Sequence, residues 1–278
     1  MPLTTRRPHR VVCAAGLVAV LVAPAAVGSG RAQGRTANRT TPPADDLARW
    51  RAAQEEKLRA PEGWLSVAGL FFLSPGPNTV GSDPSSQVRL PVDAAPPRVG
   101  ILSLREGRIG FELAPGVEAT LNGQPARAGE LRPAAADPAR PADVLRIGRL
   151  ALQAHRSGPR LAVRLRDPDH PVRTTFTGLR WYAPDPAWVV TADFVPYATA
   201  RRVTLLNVLG DELQVASPGV VKFSVGGQAL SLVAFEENGK LWFVFTDTTA
   251  GNGTYRAARF LYADPPRQGK ALLDFNRA

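Results

Sequence analysis

The chain is almost without sulfur. Cys13 and Met1 are its only sulfur-bearing residues in a length of 278. Cys13 lies in an apolar N-terminal segment, so a chain that has shed that segment holds no thiol. Disulfides, cysteine nucleophiles and thiolate metal sites are excluded together. Histidine is nearly as scarce: His9 falls in the same segment, and His155 and His170 stand far apart with no partner at ligand spacing. No metal site is expected. No Gly-x-Ser-x-Gly elbow, Walker loop or dinucleotide glycine pattern occurs, so no cofactor is expected either. Catalysis, if the protein performs any, falls to carboxylates, tyrosine, arginine or an unsignalled serine, and no catalytic residue is assigned.

Lysine is also rare, with Lys57, Lys222, Lys240 and Lys270 the only four, so arginine supplies nearly all of the net charge of +10. With abundant Ala, Pro and Gly, this composition reflects a GC-rich coding sequence more than a nucleic-acid footprint. The arginines are spread along the chain and form no dense basic stripe interleaved with aromatics, so no nucleic-acid partner is expected. A hydrophobic content of 44% with 21% charged residues is that of a globular chain, long enough for one large core or two small ones.

The N-terminus has the three parts of a secretion signal. Arg6, Arg7 and Arg10 form a basic n-region, residues 11–27 an apolar h-region, and Val27-Gly28-Ser29 or Gly30-Arg31-Ala32 offers a cleavage site. Residues 1–32 are therefore read as a signal peptide and the protein as exported, periplasmic or extracellular. An uncleaved N-terminal anchor is the alternative. Pro24 interrupts the apolar run, which is short for a membrane span, and no stable membrane span is expected after cleavage. Removal of Arg6, Arg7, Arg10 and Arg31 leaves a net charge of +6.

Residues 33–43 are polar and aperiodic, as in a disordered linker. Asp45 or Asp46 then starts a helix running to about Ala60, with Leu47, Trp50, Gln54 and Leu58 near one face and Pro61 at its end. Beyond it come short apolar or alternating runs: 66–73, 87–90, 100–104, 109–113, 119–121, 145–155, 161–166, 188–194, 202–209, 220–225, 229–235, 241–246, 255–262 and 271–275. Turn pairs such as Asn122-Gly123 and Asn238-Gly239 divide them, which argues for antiparallel sheets. The clearest hairpin is 229–246, where alternation on both arms flanks a polar link at 236–240.

In the first half, Gly81-Ser82-Asp83-Pro84-Ser85-Ser86-Gln87-Val88-Arg89-Leu90-Pro91, Leu121-Asn122-Gly123-Gln124-Pro125 and Asp143-Val144-Leu145-Arg146-Ile147-Gly148-Arg149-Leu150 resemble the ordered landmarks of a forkhead-associated (FHA) β-sandwich. Such domains bind phosphothreonine through an arginine after the glycine and a later serine-histidine segment. Here Ser82 replaces that arginine, and Ala94-Ala95-Pro96-Pro97 stands near the serine-histidine segment. The resemblance implies the sandwich without the ligand, because the bidentate guanidinium is gone.

A wider resemblance rests on Gly63-Trp64-Leu65-Ser66-Val67-Ala68-Gly69-Leu70-Phe71-Phe72-Leu73, Val163-Arg164-Leu165-Arg166-Asp167, Ser217-Pro218-Gly219-Val220-Val221, the stretch from Phe245 to Leu261 containing Asp247-Thr248-Thr249-Ala250-Gly251-Asn252-Gly253-Thr254-Tyr255-Arg256, and Leu273-Asp274-Phe275-Asn276-Arg277-Ala278. These resemble the bacterial domain of unknown function (DUF) family 1684, which implies no agreed activity, substrate or cofactor. In that family the last motif continues into a Tyr-Asn-Pro-Pro-Cys segment, whereas this sequence stops at Ala278, and the expectation is a truncated copy.

The densest polar constellation is Asp247, Thr248, Thr249, Asn252, Thr254, Tyr255 and Arg259, followed by Asp274, Asn276 and Arg277, and the residues singled out from it are Asp247, Thr249, Tyr255, Arg259, Asp274 and Asn276. Residues 246–254 lie between two strong strands, so their side chains gather at one end of a sheet, and a strand from Ala271 pairing nearby would bring Asp274 to Arg259. These six are the candidate binding residues for a small polar or glycan-like ligand. The structural alternative is a hairpin whose Asp, Thr and Asn side chains cap their own backbone, with Arg259 and Asp274 as an ion pair. Trp181, Tyr182 and Trp188 offer either an aromatic sugar platform or core packing. Arg164 and Arg166, opposite Val163 and Leu165, read as solvated arginines at a strand end. Trp64, Leu70, Phe71 and Phe72 form a buried strand or a docking segment.

The expected fold is all-β: the helix and an apolar strand over 44–73, a degenerate FHA-like sandwich over 74–160, and a C-terminal antiparallel β domain over 161–278. Three functions fit: noncatalytic ligand binding, a hydrolase-type enzyme using Asp247 or Asp274 with Arg259 and Tyr255, and a structural protein-interaction module. Oligomeric state is not legible.

Overall fold

The computed structural model describes residues 44–134, 140–207 and 209–278, together with a two-residue strand β1 (Val18–Ala19) that pairs with Leu206–Asn207. Apart from β1, the signal and linker expectations fall outside the described residues. Among the described residues no helix is long and apolar enough to cross a membrane.

The protein is all-β with one N-terminal helix, α1 (Ala44–Arg59). Asp45 and Asp46 sit in its first turn and Lys57 and Arg59 in its last, each sign complementing the helix dipole. The chain divides into two compact units, one of residues 56–177 and one of residues 44–55 and 178–278.

The first unit carries β2 (Val67–Phe72), β3 (Gly76–Gly81), β4 (Val88–Arg89), β5 (Gly100–Arg105), β6 (Arg108–Leu113), β7 (Thr120–Leu121), β8 (Gln124–Pro125), β9 (Ala128–Leu131), β10 (Val144–Ile147), β11 (Leu150–Ser157) and β12 (Arg160–Arg166). One sheet has the order β2-β12-β11-β10-β7-β8 and the other β4-β3-β5-β6-β9. Their inner faces meet in one core, with Leu102, Ile109 and Leu131 from one sheet and Leu145, Leu152 and Leu165 from the other. Period-two alternation puts Leu161, Val163 and Leu165 into that core and Arg164 and Arg166 on the opposite face of β12. The Asn122-Gly123 pair makes the β7–β8 turn with φ of 50° and 84°, the left-handed values such a turn requires.

Two sequence expectations change here. The boundary at residue 160 falls inside a hairpin, since β12 pairs with β11 along its whole length and also with β2. The apolar strand and residues 161–166 therefore belong to the first unit. The run 145–155 is two strands, β10 and β11, split where Gly148 turns the chain with φ 54°.

The second unit is built on β13 (Val189–Asn207), β14 (Glu212–Val225), β15 (Gln228–Glu237), β16 (Lys240–Phe245), β17 (Arg259–Ala263) and β18 (Lys270–Asp274). They pair in sequence order from β13 to β17, and β18 lies on the other side of β13. Ala192, Val221, Leu232, Phe243, Leu261 and Leu273 form the centre of its core. The β15–β16 hairpin turns at Asn238-Gly239 as the alternation indicates, with φ of 51° and 73°. The runs 188–194 and 202–209 prove to belong mostly to a single long strand, β13, with a register shift between Pro196 and Arg201. The run 255–262 becomes strand only from Arg259, because residues 246–258 form a loop tied by its own side chains.

On this unit residues 44–55 of α1 are held by polar contacts. Arg277 Nη2 donates to Asp46 Oδ2 at 2.5 Å, Arg51 Nη2 to the Tyr182 carbonyl at 2.9 Å, and Trp181 Nε1 to Glu55 Oε1 at 2.9 Å. The Trp181 ring meets Trp50 edge-on at 5.7 Å. Trp181 therefore packs, while Tyr182 and Trp188 are each about half exposed.

Candidate functional site

The six candidate residues all lie in the second unit, on the loop between β16 and β17 and on the turn after β18. β16 ends at Phe245, which stands opposite Arg259 in the register with β17. That pairing carries Asp247, two residues past the strand, over the first side chain of β17. Arg259 Nη1 donates to Asp247 Oδ2 at 2.8 Å, and Arg259 Nη2 to the Ala278 carbonyl at 2.7 Å. Asp247 Oδ1 accepts from the Thr249 amide at 2.8 Å and from its hydroxyl at 2.5 Å. The Thr249 and Thr254 hydroxyls meet at 2.8 Å and close the loop. Both Asp247 oxygens are thus engaged. Burial pushes its carboxyl pKa up, but the hydrogen bonds from Thr249 and the Arg259 guanidinium outweigh that and hold it below the ordinary carboxylate range.

Asp274 forms a second, separate cluster. Its Oδ1 accepts from the Asn276 amide at 3.1 Å and the Asn276 side-chain amide at 2.9 Å, capping the short 3-10 helix Phe275–Arg277. Its Oδ2 accepts from Arg277 Nε at 3.0 Å. The expected Arg259–Asp274 meeting does not occur, because the cap and Arg277 take Asp274, and Arg259 reaches Asp247 directly across its own hairpin. Asn276 reaches outward as well: its Oδ1 accepts from the Asp185 amide at 2.9 Å and its Nδ2 donates to the Asp185 carbonyl at 3.1 Å. Sequence reading missed this tie and the contact of Arg277 with Asp46, since Asp185 and Asp46 are remote in the chain.

Tyr255 stands outside both clusters and is half exposed. Tyr182, also half exposed, lies against the same loop: a Cβ added at Gly253 would come within 2.9 Å of its hydroxyl. Trp188 packs edge-on against Phe275 at 6.4 Å with much of its surface open. The two tied clusters and the open aromatics therefore share the region formed by the 246–258 loop, the 182–188 segment and the last turn. Among the described residues no group of three or more His, Cys, Asp or Glu side chains stands close enough to hold a metal ion.

Residues 174–278, close to the second unit's own span, match the family described as Protein of unknown function (DUF1684). The quoted motifs at 63–73 and 163–167 lie outside that match. No curated protein matches the chain. Among solved structures, an uncharacterized protein of Haloarcula marismortui is 29% identical over 37% of this chain, with a TM-score of 0.32. This chain spans 60% of the length of that protein. Two FHA-domain structures also match. The FHA domain of FhaA, solved in complex with the intracellular domain of Rv3910, is 18% identical over 35% of this chain and 97% of its own, at a TM-score of 0.24. An FHA structure described under phosphothreonine-dependent FHA domain interactions is 18% identical over 35% of this chain and 92% of its own, at 0.25.

Proposed function

We propose that this is an exported, noncatalytic protein that binds a small hydroxyl-rich, glycan-like ligand at the rim of its second unit. The observation that carries this is the pairing of open aromatic rings, Tyr182 and Tyr255, with a loop whose polar groups are already tied to one another. Exposed tyrosines offer an apolar face to a sugar ring and a hydroxyl to its oxygens. A loop fixed by Asp247, Thr249, Thr254 and Arg259 loses little entropy when a ligand arrives. The same ties disfavour a hydrolase, because a general base needs a free carboxylate oxygen near the operating pH, and Asp247 and Asp274 are committed to arginine and backbone partners. Export rests on the basic, apolar and small-residue parts of residues 1–32.

The test is titration of the purified protein with chitin-derived, glucan-derived and muramyl oligosaccharides, followed by tyrosine and tryptophan fluorescence. Saturable binding that weakens at least tenfold in Y182A and in Y255A is expected, the loss typical of an aromatic anchor. Cleavage of an oligosaccharide that disappears in D247N or D274N would replace this reading with the hydrolase. Absence of binding across the panel would leave the protein-interaction module. For export, the exported protein is expected to begin between Val27 and Gln33, and terminal sequencing that finds Met1 intact would overturn cleavage.

A further inference from the structure

On the first unit, the face of the six-stranded sheet turned away from the core carries an unbalanced set of arginines. In one row across the strands, Arg146 of β10 stands opposite Ala151 of β11, and Ala151 opposite Arg166 of β12. Arg164 is two residues before Arg166 on the same face. Strand geometry sets Arg164 about 7 Å from Arg166 and Arg146 about 10 Å from Arg166 at the backbone. Glu62 pairs with Arg146.

Contrary to the expectation of solvated side chains, Arg164 and Arg166 are half-buried. Both guanidinium groups lie over the Trp64 ring, at 5.2 and 6.0 Å. Arg166 Nη1 donates to the Gly63 carbonyl at 2.7 Å, and Arg164 Nη2 lies 3.3 Å from His155 Nδ1. Arg164 Nε is buried and has no hydrogen-bond partner. Burial pushes both arginine pKa values down; Arg166 adds like-charge repulsion at Arg164, while the Glu62 charge opposes the shift at Arg166 without reversing it. Among the described residues neither forms a salt bridge with a carboxylate. Half-buried like charges without a salt-bridge partner of their own are costly to keep, and planar guanidinium forks held on an aromatic ring are suited to binding oxyanions.

We infer that this face binds a compact polyanion with the charge and span of a pyrophosphate group, gripped by Arg164 and Arg166 and reached by Arg146 once it exchanges Glu62. The anion would neutralise the excess positive charge and occupy the open guanidinium edges. Trp64, half exposed beside them, would report its arrival.

The experiment is calorimetric titration of the purified protein with inorganic pyrophosphate at constant ionic strength, with Trp64 emission followed in parallel. Saturable binding is expected, weakened at least tenfold in R164Q and in R166Q and unchanged in R108Q, whose arginine pairs with Glu130 on the other sheet. R164Q should also melt no lower than the wild type without ligand, because it removes a desolvated charge. No saturable heat, an equal loss in R108Q, undiminished binding in R164Q, or an R164Q that melts below the wild type would each overturn the inference.

Discussion

Arg259 pairs with Asp247 at 2.8 Å and leaves Asp274 to Arg277 at 3.0 Å. The consequence for stability follows from how little of Arg259 is open: its side chain is 16% exposed, against 35% for Asp247. Removing Asp247 leaves a largely buried guanidinium with the Ala278 carbonyl and frees the Thr249 amide. D247A is expected to lower stability by about 1–2 kcal/mol in urea unfolding, and D247N by less, since an amide still accepts from Thr249.

The same carboxyl makes the second unit acid-sensitive. Its folded pKa lies below its ordinary value of 3.8, so the folded state binds the proton less readily than the unfolded one. The contribution is complete above the unfolded value and is lost as pH falls from about 4 through the depressed folded value. The wild-type urea midpoint should therefore decline more steeply below pH 4 than that of D247N. Parallel declines would show that Asp247 carries no such linkage.

Asp143 plays the corresponding part in the first unit, with a different balance. It is buried, and accepts from Asn122 Nδ2 at 2.8 Å, the Arg132 amide at 2.9 Å and Arg132 Nε at 2.9 Å. The Arg132 side chain is 71% exposed, so the ion pair itself contributes little. D143A strands a backbone amide and the Asn122 turn and should cost about 2–3 kcal/mol, while R132A should cost under about 1 kcal/mol. Equal losses would mean that the charge, not the buried acceptor, matters.

What the sequence made legible follows from which forces are local. The α1 helix and the β15–β16 hairpin were readable because dipole-matched ends, alternation and Asn238-Gly239 all lie within a few residues of each other. β3 was not, since Gly76-Pro77-Asn78 looks like a loop, yet Asn78 is buried and its side-chain amide donates to the Leu102 carbonyl at 3.2 Å. The middle of β13 was missed because residues 195–201 are largely exposed and carry no apolar alternation. At the site, the gathering of Asp247, Thr249 and Arg259 was legible from hairpin geometry. The partner of Asp274 was not, because an arginine three residues on and a cap compete equally well with a strand neighbour on paper. The Arg164 and Arg166 surroundings depend on Trp64, a hundred residues away.

Gly81 provides a test of backbone approach. A Cβ there would stand 2.0 Å from the Pro97 carbonyl oxygen, with backbone on both sides of the clash and no flexible side chain to yield. G81A is expected to lose about 2–3 kcal/mol, the upper range for overpacking. Gly76, where an added Cβ meets nothing within 4 Å, has a φ of 89°, so G76A isolates conformational strain and should cost less, about 1 kcal/mol. A G81A protein as stable as the wild type would show that residues 96–98 move aside.

Ser82 decides whether the sandwich can be given a phosphothreonine site by one substitution, and the surroundings argue that it cannot. Ser82 is buried, and its amide donates to the Pro96 carbonyl at 3.0 Å, so an arginine there would have to displace the 91–97 loop before presenting its guanidinium. That loop is also tied into an acidic knot: Arg149 bonds Asp167 at 2.9 Å and Asp93 at 2.6 Å, with Asp169 at 3.3 Å. Three carboxylates around one guanidinium leave a local excess of negative charge, and a phosphate approaching it meets repulsion at short range. Neither the wild type nor S82R is therefore expected to bind a phosphothreonine peptide at micromolar concentration, and S82R should be less stable than the wild type by about 1–3 kcal/mol. The measurement is fluorescence polarisation of a labelled phosphothreonine peptide against both proteins, with the unphosphorylated peptide as control. Phosphate-dependent, saturable binding by S82R would show that the missing arginine alone silences the site and that the Arg149 knot has no part in it.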